Sequence, residues 1–260
     1  MENKEISMLD ILIETHIGLE RQGPGSAEMT LKALSFIENL DENSRLLDLG
    51  CGTGGQTMVL AQHTAGSVIG IDQFSEFITV FNENVKKLNL QNRAKGIVGN
   101  IEKLEEIKDS SFSSSSKFDV IWCEGVIDGI GVEKALSHWN GFIKDSGYIS
   151  LTCPSWLTDN HPDEVEKFWS DAGCRLDTIE YNTSIMQKCG YNLITVFTLP
   201  DECWIDNYFI PKTSAEKAVM EKYVGNEIVE EYIKSSKYEV ELYSKYKQYY
   251  GYVFYIGKKM

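Results

Sequence analysis

Apolar positions at 6, 9, 12, 13 and 17 keep a helical spacing and predict a first helix over residues 6–19. The segment 21–26 reads Arg-Gln-Gly-Pro-Gly-Ser and breaks that rhythm, and Ser26 is placed to cap a second helix running to about residue 40. Short apolar runs then recur at 45–49, 67–72, 94–99, 118–123 and 148–153, each the length of a buried strand. Helical patterns open at 56–62, 77–88 and 132–143 between them, and 145–147 is a turn. Strands alternating with helices at this spacing predict a parallel sheet covered on both faces, with right-handed crossovers. The stretch 110–116 is serine-rich and reads as a flexible surface loop.

The last third follows another pattern. Residues 164–172 are helical, and 174–181 and 191–199 are strand-like. A long helical stretch over 214–250 is weakened at Gly225 and at Ser235-Ser236, and its positions 228, 229, 232, 233, 243, 246 and 250 share one face. Residues 251–256 form a final aromatic strand, and no internal repeat is present.

Composition narrows the class. At 260 residues with 42% hydrophobic and 25% charged, the chain can fill a complete core. A net charge of −14 argues against holding nucleic acid, which needs clustered Lys and Arg. Six cysteines at 51, 123, 153, 174, 189 and 203 form no CxxC pair and have no histidine at short ligand spacing, so neither a metal site nor a disulfide framework is expected. Cys51, Cys123 and Cys153 fall in or beside strands, as buried reduced thiols of a cytoplasmic protein would. The polar start at residues 1–5 does not read as a signal peptide, and no apolar run approaches the roughly 20 residues of a bilayer span.

The candidate chemistry sits where the first strand ends. Leu46-Leu47-Asp48-Leu49 runs into Gly50-Cys51-Gly52-Thr53-Gly54, and a helix follows from Gln56. Alternating glycines allow positive φ and close approach of a ligand, the layout of a nucleotide-type cofactor site. Gly50, Gly52 and Gly55 also satisfy the dinucleotide spacing. Asp48 weighs against that alternative. A carboxylate before the loop would oppose a pyrophosphate held at a helix N-terminus, whereas a cofactor carrying an ammonium and a sulfonium would be drawn to it.

With these residues the segment resembles motif I of the class I S-adenosylmethionine-dependent methyltransferases. The resemblance covers about residues 30–256 and implies a Rossmann-like α/β fold, with a seven-stranded, mostly parallel sheet of order 3-2-1-4-5-7-6. It implies one domain over 1–260, with a helical lid at 1–29, a core at 30–199, a mainly helical insertion at 200–250 and the last strand at 251–256. In such a sheet, ligands bind beyond the C-terminal strand ends. The resemblance therefore assigns S-adenosyl-L-methionine, with S-adenosyl-L-homocysteine as product, to Asp48, Gly50, Cys51, Gly52, Thr53, Gly54 and Gln56 after strand one. Asp72 and Gln73 follow strand two, where Asp72 would accept the ribose hydroxyls. Asn100 and Ile101 meet the adenine after strand three, and Glu124 and Gly125 lie beneath the methionine end after strand four.

Glu124-Gly125, Ile130-Gly131, Trp139, Gly147-Tyr148, Ser155-Trp156, the run 197–204 and Tyr249-Tyr250-Gly251-Tyr252 are similar to a bacterial group related to the ubiquinone/menaquinone C-methyltransferases. That implies a small aromatic or quinone-like acceptor. Asp128-Gly129 and Cys123 depart from the group's pattern near the transfer position. Transfer from a sulfonium is an in-line displacement, needing a base only where the acceptor must lose a proton. His16, Glu124 and Asp128 are the catalytic candidates, with Glu14 and Tyr208 as further proton acceptors. Trp156, Trp204 and Tyr208, with Phe209, are candidates for an aromatic substrate wall, although core packing explains aromatics equally well. A dinucleotide oxidoreductase and a non-catalytic S-adenosylmethionine-binding protein remain as alternatives. Expected partners are a small methyl acceptor without nucleic acid or membrane insertion, with a homodimer through the long helix left open.

Overall fold

The computed structural model describes residues 6–113 and 115–260, apart from the side chain of Asp128. Two helices, α1 (Met8–His16) and α2 (Ala27–Leu34), precede a run of β1 (Arg45–Leu49), α3 (Gly55–His63), β2 (Ser67–Asp72), α4 (Ser75–Lys87), β3 (Ala94–Val98), β4 (Phe118–Cys123), α5 (Val132–Trp139) and β5 (Ile143–Trp156). Next come α6 (Asp163–Asp171), β6 (Asp177–Thr178), α7 (Ile179–Lys188) and β7 (Tyr191–Thr198). The C-terminal region is α8 (Asp201–Trp204), a π-helical turn (Ile205–Phe209), α9 (Ile210–Lys222), α10 (Glu227–Tyr246) and β8 (Tyr250–Lys259).

The eight strands form one sheet of order β3-β2-β1-β4-β5-β8-β7, with the two-residue β6 paired beside the end of β5. Neighbours from β3 to β5 are parallel, and β8 runs antiparallel to both β5 and β7. This is the mostly parallel Rossmann-like sheet of the expected order, with β6 as an added eighth strand. Leu46 and Leu47 show why the apolar runs do not alternate. They are adjacent and fully buried, yet belong to different core clusters, one on each face of the sheet. A third cluster joins Ile11 to Val219, Val229 and Ile233, packing α1 against α9 and α10.

Several expected elements differ. Residues 174–181 are not a strand: only Asp177 and Thr178 pair with β5, and the Thr178 side chain then accepts from the Tyr181 backbone N–H to cap α7. The second helix stops at Leu34. The long C-terminal helix breaks at residues 223–226, where Gly225 takes φ +77° and Asn226 caps α10. Ser235 and Ser236 do not interrupt it, because the Ser236 hydroxyl donates to Glu216 on α9 instead of competing for its own backbone. The serine-rich stretch is anchored by Phe112, which stacks on Phe118 and Phe142; residue 114 within it, like the polar residues 1–5, lies outside the described residues. Among the described residues no helix is long and apolar enough to cross a membrane.

Candidate functional site

The C-terminal ends of β1, β2, β3 and β4 open onto one cavity of about 450 Å³, at the point where strand order reverses between β1 and β4. The cavity's other wall comes from α1, the strap 21–24 and the π-helical turn. The glycine loop is shaped for close approach. Gly50 has φ +74°, and a Cβ there would lie 2.3 Å from Val126. Gly52 has φ +54°, and a Cβ there would lie 2.0 Å from the Gln22 carboxamide oxygen.

Asp72 closes β2 against this loop. Its carboxylate accepts from the Gly52 N–H at 3.0 Å and the Phe74 N–H at 2.9 Å, while burial pushes its pKa up. Two accepted bonds leave lone pairs for ligand hydroxyls. Asn100, Ile101, Gln73, Cys51 and Gln56 also line the cavity. Cys51 is a buried thiol outside any disulfide.

Asp48 lies elsewhere. It is fully buried behind the loop, where Thr57 and Gln56 of α3 donate to it, and desolvation raises its pKa to about 7. It fastens the loop to α3 and is not among the residues lining the cavity, and neither are Thr53 and Gly54. The Thr53 N–H instead donates to Gln22 Oε1 at 2.9 Å, and Gln22 Nε2 donates back to the Thr53 hydroxyl.

Glu124 lines the cavity beside Gly125 and is heavily bonded. Arg21 Nη1 donates to it at 2.7 Å, and Thr30 and Trp122 each donate at 2.8 Å. The Arg21–Glu124 pair is buried, each side chain 5% exposed. Behind it, His16 Nδ1 donates to the Leu12 carbonyl at 2.8 Å, which leaves Nε2 to accept from the Tyr208 hydroxyl at 3.1 Å. Burial, reinforced by Lys212, lowers the His16 pKa to about 4, and burial pushes Tyr208 above the usual phenol range.

The remaining candidates sit away from the cavity. Trp204 stacks on Tyr243 with ring centroids 4.3 Å apart and is core packing for α8 and α10, as its apolar neighbours dictate. Trp156 stacks on His161 at the far end of β5. Phe209 packs on Trp204 and Tyr243. Glu14 accepts from Lys222 and Tyr223 on the outer side of α1. The Asp128 side chain lies outside the described residues. Arg21 and Gln22 are the contributions missed in the sequence. The signal available was two long polar side chains abutting the Gly-Pro-Gly break between two helices.

A family model described as a methyltransferase domain matches residues 40–194, more than half of the chain. The chain belongs to that family, and its sheet has the strand order expected of a class I S-adenosylmethionine-dependent methyltransferase fold. Phosphoethanolamine N-methyltransferase of Plasmodium falciparum is 28% identical over 182 residues, which are 68% of this chain and 64% of that enzyme, so the match spans less than two thirds of the relative. An S-adenosylmethionine-dependent methyltransferase from Geobacter sulfurreducens, solved with S-adenosyl-L-homocysteine, is similar with a TM-score of 0.80 at 19% identity, covering 96% of this chain and 98% of that one. Haemonchus contortus phosphoethanolamine N-methyltransferase 2, solved with phosphomonomethylethanolamine and S-adenosylhomocysteine, gives a TM-score of 0.70 at 18% identity over 99% of this chain and 58% of that one. At these identities the two structures show the fold alone.

Proposed function

We propose that this chain seats S-adenosylmethionine in the cavity and transfers its methyl group to a small acceptor. The observation that carries the reading is the convergence of four strand ends on one cavity, with a glycine loop that tolerates no Cβ beside a buried carboxylate with lone pairs to spare. Asp72 would hold the ribose, Asn100 and Ile101 the adenine, and Gly50 and Gly52 the path between ribose and methionine. Gln22 favours this cofactor over a dinucleotide, because its carboxamide takes the loop N–H of Thr53 and fills the space over Gly52 by which a pyrophosphate would reach α3. Bound here, S-adenosylmethionine would supply a methyl group activated by its sulfonium.

The protein's own task is alignment and exclusion of water, a contribution of several kcal/mol. Leu12, Val126, Ile130 and Tyr208 offer an acceptor a largely apolar surface. Among the described lining residues the only Arg or Lys is Arg21, and its terminal nitrogens are engaged by Glu124 and Thr30. That favours a small, uncharged, aromatic or quinone-like acceptor over a phosphate ester. His16, neutral at physiological pH and bonded to Tyr208, is a weak base, so an acceptor that sheds its proton readily suits the site. Cysteines outside any disulfide accord with a cytoplasmic setting.

Calorimetric titration with S-adenosylmethionine, S-adenosylhomocysteine and NADH tests the reading. Micromolar binding of the first two without NADH is expected. Binding of NADH alone would overturn it.

A further inference from the structure

We propose that Tyr208 selects the methyl acceptor: its oxygen receives a hydrogen bond in the cavity, so the acceptor presents a phenol- or enol-type hydroxyl there, and a quinone or an ether is disfavoured. This rests on the S-adenosylmethionine reading above and narrows its acceptor class. Tyr208 and His16 line the cavity together from the helical side. The direction of the bond between them follows from the atoms around His16. Its Nδ1 lies 2.8 Å from the Leu12 carbonyl, which can only accept, so Nδ1 carries the ring proton. The neighbouring Thr15 hydroxyl donates to the Ile11 carbonyl at 2.8 Å. Nε2 is left with a lone pair, and at 3.1 Å it takes the single hydroxyl proton of Tyr208. Tyr208 then has no proton to offer a ligand, only lone pairs.

A buried cation holds that direction. Lys212 of α9 is 5% exposed, with its ammonium 3.0 Å from Glu239 of α10, 4.0 Å from Glu216 and 5.0 Å from the centroid of the Tyr208 ring. Such a charge disfavours a second proton on His16, adding to the effect of burial. Lys212 also stands beside one lone pair of the Tyr208 oxygen, and the other is left for a ligand hydroxyl. The remaining ionisable groups nearby are engaged. Glu216 accepts from Ser236, the Tyr232 hydroxyl meets Thr15 at 3.2 Å, and Glu14 is held by Lys222 on the outer side of α1. Across the cavity, Arg21 and Glu124 neutralise each other. A protonated His16 would donate from Nε2 and turn the Tyr208 hydroxyl into a donor, which reverses the preference. Lys212 is thus a positioning residue for Tyr208. The competing account is a brace that only ties α1 to the π-helical turn.

A pair of matched probes separates the two. 2-Naphthol and 2-methoxynaphthalene share one ring system and differ in whether the oxygen carries a proton. Calorimetry on protein saturated with S-adenosylhomocysteine would compare them on the wild type, Tyr208→Phe and Lys212→Met, with thermal melts checking the fold. The wild type is expected to favour 2-naphthol by about tenfold, equally at about pH 7.5 and about pH 5.5. Tyr208→Phe is expected to shrink that preference to within about twofold by weakening 2-naphthol alone. Lys212→Met is expected to keep it at about pH 7.5 and lose it by about pH 5.5, as His16 gains a proton that a mere brace would not sense. Should Lys212→Met fail to fold, Tyr208→Phe still decides. A preference that survives in folded Tyr208→Phe, equal binding of the probes by the wild type, or binding of neither would overturn the proposal and leave the cofactor reading standing. A preference that persists in folded Lys212→Met at the lower pH would remove Lys212 from its positioning role. Failure of S-adenosylhomocysteine to bind the wild type would overturn the cofactor reading itself.

Discussion

The two walls of the cavity are built on different principles. The strand-end wall is backbone: loop N–H groups, glycines at positive φ and one carboxylate fixed by two of those N–H groups. The helical wall is side chain, with Arg21 on Glu124, His16 on Tyr208 and Gln22 on Thr53, bonds that tie residues 103, 192 and 31 positions apart. A backbone wall suits one invariant ligand, because its geometry follows from the sheet. A wall of side chains can be altered without rebuilding the fold, which is where an acceptor preference belongs.

Substitutions can break this division or sharpen it. Trp204→Ala should have the largest effect on stability, a loss of about 3–5 kcal/mol in urea unfolding, because the indole is core. Affinity for S-adenosylhomocysteine should stay within about twofold in that folded variant; a loss of about tenfold or more would move Trp204 into the cavity wall. Gly50→Val should reduce affinity by about 100-fold, since its Cβ would lie 2.3 Å from Val126 at a φ of +74°. Asp72→Ala should weaken binding by at least about tenfold through loss of the ribose acceptor, and unchanged calorimetric affinity would remove Asp72 from the site.

Asp48→Asn probes the support behind the loop. Folded Asp48 keeps its proton up to about pH 7, whereas the unfolded chain releases it near the ordinary aspartate value of 3.8. Between those values the folded state binds more protons, so wild-type stability falls as pH rises, by up to about 1.4 kcal/mol per unit. Thermal melts at pH 5, 6 and 7 should show the variant lacking that slope. Tyr208→Phe should have the smallest effect on cofactor binding, less than about twofold by calorimetry, since it removes only the hydroxyl bonded to His16 on the acceptor side. A larger loss would show that the walls do not divide the labour.

What was legible in the sequence follows the same division. The bounds of β1, β2 and β4 were readable at their observed limits because a strand buried on both faces is a short, mostly apolar run that ends at a glycine or an acidic residue. Most strand-end candidates line the cavity for the same reason, since the sheet alone places them. Asp48 turns behind the loop, where Thr57 and Gln56 draw it into α3, and period and spacing do not tell which way a strand-end carboxylate turns. Helix α7 was hidden by a β-branched start, with Thr178 acting as a cap. Arg21 could not be assigned because its partner is 103 residues away, and only the folded chain brings them together.

The most direct test of the central claim is a crystal structure of the protein with S-adenosylhomocysteine. The ribose hydroxyls should bond to Asp72, and the adenine should lie against Asn100 and Ile101. A ligand bound elsewhere, or a ribose turned away from Asp72 within this cavity, would contradict the assignment of the strand-end wall.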